Sequence, residues 1–314
     1  MKKYLFNRIL TLIPTLLIVA TIGYLLIYMA PGDPAAVMLG EEADVTEVIR
    51  LRTEMGLDRP IYVQLGRWFA RIARGDLGYS FFLQRTVTQA ILDRLEVTML
   101  LTAYSMIIAI ILGVTIGIIA AVKHNTIVDQ LMMGIALLGV SMPSFWLGIN
   151  FILLFALGAR WFPAAGYVDI ADGLFMHIRS LTLPSLTLGF ISAAPIARMT
   201  RSSMLQVLNQ DYIRTARAKG LIEFSVIISH AFRNAMIPTI TMVGMTVGSL
   251  ISGAIVTETV FALPGVGRLV IQSIGRRDYP TVQGVLIFIA FIYVLVNLLV
   301  DILYLYLDPR VKYL

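Results

Sequence analysis

The sequence predicts an all-α polytopic membrane protein with about six transmembrane helices, and two observations carry that reading: its composition and the length of its apolar runs. Of its 314 residues, 58% are hydrophobic and only 14% are charged. The mean hydropathy of +0.83 is foreign to a soluble globular domain. Crossing about 30 Å of hydrocarbon takes about 20 helical residues. Runs of that kind lie near Ile9–Ala30, Val97–Val122, Leu131–Leu157, Leu181–Met199, Pro238–Val256 and Thr281–Leu307.

The first run follows Lys2, Lys3 and Arg8, which resemble the basic start of a signal peptide. Its apolar stretch is too long for one and no small-residue cleavage pattern follows, so it is expected to remain as an anchor with the N-terminus inside. Orientation follows from charge. With both termini in the cytoplasm, the inner side carries Lys123, Arg198, Arg201, Arg214, Arg217, Lys219, Arg233, Arg310 and Lys312 besides the N-terminal bases, against Arg160, Arg179, Arg268, Arg276 and Arg277 in the shorter outer loops. That bias obeys the positive-inside rule. The segment between the first two spans holds eight more Arg but is long enough to escape the rule, and its acids outnumber its bases. The net charge of +6 is therefore read as membrane orientation rather than nucleic-acid binding. The absence of cysteine excludes disulfides and thiolate chemistry.

Residues 1–96 read as an N-terminal transmembrane anchor plus an extracytoplasmic segment. Pro31, Gly32, Asp33 and Pro34 end the first helix, because proline lacks a donor and restricts the residue before it. Ile61, Leu65, Trp68, Phe69 and Ile72 then recur at helical spacing, with Arg67, Arg71 and Arg74 on other faces. This predicts an amphipathic helix, lying on the membrane or packed on its own protein. Gly75, Asp76, Leu77 and Gly78 predict a turn after it.

The loop between the fourth and fifth spans, at about 201–237, is the most distinctive part of the chain. Leu205 to Ala218 is rich in helix formers, and Gly220 is placed to end that helix in a left-handed conformation. Phe224 to Ala235 predicts a second helix with Phe224, Ile227, Ile228, Ala231 and Ala235 on one side. Ala216 and Ala218 leave the backbone approachable, while Arg214, Arg217 and Lys219 offer charge to acidic groups or phosphates. Such a small-residue knob suits a groove in another protein.

Arg214, Thr215 and Ala216, then Gly220 after three further residues, with Ile237 and Pro238 downstream, resemble the EAA loop of permease subunits of binding-protein-dependent ATP-binding-cassette (ABC) importers. The fuller string, Asp211 to Leu221 with His230, Ala231, Arg233, Asn234 and Ala235, resembles the dipeptide, oligopeptide and nickel permease group, in particular its dipeptide permease B-type subunits. Further matches are Pro31–Pro34, Pro184–Leu186, Arg198–Ser203, the last outer loop with Pro264, Gly265, Gly267 and Arg268, then Arg277–Pro280, and Asp308–Arg310. Arg214 replaces the motif's acidic first position. Ile222 stands where a capping serine is common, which predicts a weaker cap on the second helix.

The resemblance implies a type I ABC importer permease fold over residues 97–307 and a cytoplasmic tail at 308–314. It implies a second homologous permease subunit, two cytoplasmic ATP-binding subunits that carry ATP and Mg, and an extracytoplasmic solute-binding protein. This chain itself is then not an enzyme and binds no cofactor or metal. Membrane lipid is a partner and nucleic acid is not. The resemblance places the chain in a bacterial or archaeal cytoplasmic (inner) membrane. Arg214, Thr215, Ala216, Arg217, Ala218, Lys219, Gly220 and Leu221 are the expected ATPase-coupling loop. The cargo class it implies is peptide, dipeptide or oligopeptide, with glutathione and nickel as the alternatives within the group.

Inside the membrane, Gly113 with Gly117 and Gly244 with Gly248 are small pairs that let helices approach closely. Pro143 and Pro195 free backbone carbonyls that kink a helix or line a cavity. Ser141, Pro143, Phe145, Trp146, Thr246, Ser249 and Ser252 are candidate path-lining residues. Phe261, Pro264, Gly265, Gly267 and Arg268 are candidates for a gate or a contact with the binding protein. Glu258 and Asp301 are expected to face protein or water. Rival classes lack their chemistry. His124, His177 and His230 form no metal motif, no Gly-x-Ser-x-Gly occurs, and no phosphate-cradling glycine loop is present. A proton-coupled secondary transporter would bury several acids in its spans, and a channel would need no coupling loop.

Overall fold

Proline and glycine divide the long apolar runs into helices in a computed structural model that describes residues 2–29, 33–39, 44–54, 56–80 and 82–307. Helices α1 (Lys2–Met29), α2 (Pro34–Leu39), α3 (Val45–Glu54) and α4 (Ile61–Ile72) precede a two-residue hairpin, β1 (Tyr79–Ser80) and β2 (Arg85–Thr86). There follow α5 (Val87–Val122), α6 (Ile127–Ser141) and α7 (Ser144–Phe151), which continues as a π-turn at Ile152–Gly158. Then come α8 (Leu174–Leu208), α9 (Asp211–Ala218), α10 (Glu223–Ser225), a π-turn at Val226–Phe232, α11 (Arg233–Val260), α12 (Val266–Gly275) and α13 (Tyr279–Leu307). Pro31 and Gly32 lie outside the described residues, as do Asp308–Arg310 with the rest of the tail and the side chain of Asp301.

Among the described residues, the helices at Val87–Val122, Leu174–Leu208, Glu223–Val260 and Tyr279–Val300 are long and apolar enough to cross a membrane. The expected third span, Leu131–Leu157, is two segments bent by 107°. Pro143 supplies no N–H, Met142 is extended at φ −92°, ψ 132°, and α7 restarts behind the proline. The first expected span lies in α1, a 28-residue helix with room to cross at about 1.5 Å per residue.

Two compact units divide the chain: residues 1–96 with 265–295, and residues 97–264 with 296–314. In the second unit α8 is the buried element. Its most apolar window is 72% buried, against 33% for α5 and 28% for Glu223–Val260. Leu181, Leu183 and Leu188 of α8 pack with Leu101, Leu250, Phe261 and Leu263. Pro184 and Pro195 sit within α8 without ending it. The expected close approaches are real: a Cβ on Gly113 would stand 2.7 Å from the Ala193 carbonyl, and one on Gly117 would stand 2.5 Å from Thr200 Cβ. Gly244 meets Val300 in the same way. Gly117→Leu is therefore expected to push α5 off α8 and destabilise the chain by about 1–3 kcal/mol or more. Thermal unfolding in detergent checks this against Gly134→Ala, where a Cβ meets nothing within 4 Å.

In the first unit α4 forms as its apolar spacing predicts. Trp68, with Leu65, Phe69 and Ile72, packs on Ala20, Tyr24 and Ile287, so the helix rests on its own protein. Gly75 and Gly78 take positive φ, and Asp76 accepts from the Gly78 N–H, as the predicted turn requires. The last outer loop departs from expectation, because it folds a helix of its own, α12. Val266, Leu269 and Val270 of α12 pack against Val87, Ile91 and Val285. Asp278 then accepts from Ser80 and Thr281 hydroxyls at the start of α13.

Candidate functional site

The exposed knob of the second unit begins where α8 stops. Asn209 and Gln210 break the helix, so α9 is a separate element of 8 residues rather than the tail of one long helix from Leu205. Its amphipathic spacing sets its attitude: Ile213 and Ala216 are buried with Ala121, Met204, Val226, Ala231 and Ala235. The opposite face presents Arg214, Thr215, Arg217 and Ala218, followed by exposed Lys219, Gly220 and Leu221.

Gly220 closes the helix as the sequence requires. Its φ is +79°, its N–H donates to the Arg217 carbonyl at 2.9 Å, and the Leu221 N–H reaches back to the Ala216 carbonyl at 3.4 Å. This pair of reversed bonds is a Schellman motif, which needs a left-handed residue at the glycine position. A Cβ there would meet nothing within 4 Å, so the surface around it is open.

The basic residues are not equally available. Arg217 donates to both carboxylate oxygens of Glu223, at 2.7 Å and 3.2 Å, and thereby ties α9 to α10. Arg214 has only a 3.5 Å contact with Asp211, and Lys219 makes no ion pair among the described residues. The Asn234 amide donates to the Tyr212 hydroxyl at 2.8 Å. Of the three bases expected to offer charge to acidic groups or phosphates, Arg217 is exposed but already paired within the chain.

The expected second short helix is corrected as well. Glu223 to Val260 runs on continuously into the fifth span. The π-turn inserts a five-residue step, so burial passes from Val226 to Ala231, Ala235 and Thr239 while Phe224 is 72% and Ile228 38% exposed. A 3.6-residue period cannot foresee that slip. Ile222 precedes α10 with no side-chain cap bond.

A polar cluster that sequence reasoning missed braces the bundle close to this knob. Arg201 of α8 grips Asp129 of α6 through two bonds of 2.7 Å, one to each carboxylate oxygen. The Asn125 N–H adds a third bond at 3.1 Å, and His124 Nδ1 lies 3.4 Å away. The local signal was Thr126 followed three residues later by Asp129 before an apolar run, since Thr126 caps α6 and accepts from the Asp129 N–H.

The remaining candidates are dispersed. Ser141, Pro143, Phe145, Trp146, Ser249 and Ser252 are exposed. Thr246 is buried, and its hydroxyl donates to the Met242 carbonyl. Phe261, Gly265 and Gly267 are buried, Pro264 is exposed and Arg268 is half-buried. Glu258 is fully buried and accepts from Thr98 at 2.6 Å, so it faces protein. Among the described residues no group of His, Asp and Glu could hold a metal.

These elements define a multi-pass, all-α membrane protein with a helical knob projecting from its bundle. Residues 113–313 match the family of binding-protein-dependent transport system inner membrane components, and residues 1–102 match that family's N-terminal region. The chain belongs to this family, the permease subunits of ABC importers. A Brucella abortus protein named as a permease of a peptide transport system is 47% identical, with 100% of both chains covered. The dipeptide transport system permease DppB of Alkalihalophilus pseudofirmus is 43% identical, and the glutathione transport system permease GsiC of Salmonella paratyphi A is 44% identical, again over 100% of both chains. The fold matches an inward-facing crystal structure of the MetNI methionine ABC transporter, with a TM-score of 0.58 and 16% identity over 70% of this chain and 97% of that one. Membership places the chain in an inner membrane as a transport subunit, and implies ATPase and binding-protein partners in general.

Proposed function

We propose that this chain is the peptide-translocating permease subunit of an ATP-driven importer, and that the knob from Arg214 to Leu221 is where the ATPase engages it. The observation that carries the coupling role is the exposed, glycine-capped α9, whose buried face is packed on the bundle. A partner that moves α9 therefore moves α8 and the start of the fifth span with it. Closure of an ATPase dimer on ATP would bias the bundle between two arrangements. On this reading a second homologous permease completes the path, two ATPases hold ATP and Mg, and both termini and the knob are cytoplasmic. The path candidates Ser141, Pro143, Phe145, Trp146, Ser249 and Ser252 face that second subunit or the cargo. The segment from Phe261 to Arg268 serves as a gate or as a contact with the binding protein, through exposed Pro264 and half-buried Arg268.

Peptide cargo is supported by the full-length relatives named for peptide and dipeptide transport. Glutathione is the second reading, favoured by the relative named for it. The test is uptake into proteoliposomes holding the complete complex and its binding protein. Labelled dipeptide is expected to accumulate only with ATP. Unlabelled glutathione that outcompetes dipeptides would select the second reading, and ATP-independent uptake would overturn the importer assignment.

A further inference from the structure

In the first unit α4 walls a cleft of about 580 Å³. Arg67, Arg71 and Arg74 succeed one another along that wall, on α4 and the turn behind it, and all three are exposed. None of them makes an ion pair with a described residue. Glu54, the one carboxylate among the described lining residues, is already engaged by Arg50 at 3.0 Å. The cleft therefore presents an uncompensated run of guanidiniums.

Its other wall is aromatic and belongs to the ends of apolar helices: Tyr24 from α1, with Tyr279 and Gln283 from the start of α13. That wall is fixed by hydrogen bonds. The Tyr24 hydroxyl donates to Gln64 Oε1 at 2.7 Å, and the Gln283 amide donates to the Tyr24 carbonyl at 3.3 Å. Trp68 is 5% exposed beneath it. At the outer flank of α4, Ile61 and Tyr62 are 45% and 73% exposed. Tyrosines towards the ends of apolar helices, beside arginines on an amphipathic helix, are the chemistry of the membrane interface.

We propose that this cleft seats the phosphate headgroup of an anionic phospholipid. Guanidinium forks match phosphate oxygens in pairs, and the tyrosine wall suits the glycerol and upper acyl region. A free phosphate would leave that wall unused. The inference rests on α1 and α13 being membrane-spanning and is independent of the cargo.

The test uses the full-length chain, purified and delipidated in detergent, with thermal unfolding followed during titration. Phosphatidylglycerol is expected to raise the unfolding midpoint, whereas phosphatidylcholine and inorganic phosphate leave it unchanged. In Arg67→Gln/Arg71→Gln/Arg74→Gln the half-saturating phosphatidylglycerol concentration should rise at least about tenfold, since each base near an anionic surface contributes on the order of 1 kcal/mol. The corresponding triple lysine variant, which keeps the charge and loses the forks, should respond between the wild type and the triple glutamine variant. Arg71→Gln alone gives a graded loss of about threefold or more, which serves if the triple glutamine variant fails to fold. A triple glutamine variant that responds like the wild type would overturn the proposal. So would equal protection by inorganic phosphate, or a wild-type chain insensitive to phosphatidylglycerol but stabilised by an acidic polypeptide.

Discussion

Gly220→Val is expected to abolish ATP-driven uptake while the chain remains inserted in the membrane. The glycine sits at φ +79°, a conformation that costs an L-residue about 1–2 kcal/mol and is worse for a β-branched one. Valine would break the reversed bonds from Gly220 and Leu221 to Arg217 and Ala216, so the last turn of α9 would lose its cap and Arg217 its approach to Glu223. The damage is local, because no atom lies within 4 Å of the position a Cβ would take. Global folding should survive. Gly220→Asn separates two causes, since asparagine tolerates left-handed backbone. If only the cap matters, asparagine keeps most of the uptake; if a partner's groove needs a bare backbone there, it loses uptake as valine does. Wild-type uptake by a membrane-inserted Gly220→Val chain would sink the coupling role of this loop.

Local chemistry was readable from the sequence, and pairing across the chain was not. Gly220 announced its conformation because few other residues end a helix that way. Pro143 announced a break, although the 107° bend also needed Met142 to go extended. The α4 face was legible because Leu65, Trp68, Phe69 and Ile72 keep one helical period, although Ile61, which shares it, is left exposed at the helix start. The π-turn at Val226–Phe232 was hidden, since its extra residue per turn looks like ordinary periodicity until burial is known. Helix α12 is masked as loop in the sequence because Pro264, Gly265 and Gly267 precede or open it, while its apolar face is short. Asp129 and Arg201 are 72 residues apart, and nothing local in either stretch names the other as its partner.

Asp129→Ala is expected to be the most damaging of the polar substitutions, because it strands a guanidinium rather than deleting a contact. The Asp129 side chain is 5% exposed and that of Arg201 27%, so the pair is largely shielded from water. Removing one partner of a buried pair typically costs 3–5 kcal/mol; the partial exposure of Arg201 brings the expectation to about 2–4 kcal/mol. Function should suffer beyond stability. Arg201 lies one turn before Met204, which packs on Ile213 and Ala216 of α9, so the pair fixes the end of α8 from which the knob projects. Asp129→Ala/Arg201→Met removes both charges and should recover much of the unfolding midpoint, as charge-free replacements of buried pairs often do. If the pair also positions α9, that double variant will be stable yet deficient in uptake, with ATP hydrolysis no longer stimulated by the loaded binding protein. Full recovery of uptake together with stability would assign the pair to packing alone. An Asp129→Ala chain with the wild-type midpoint would refute the electrostatic brace itself.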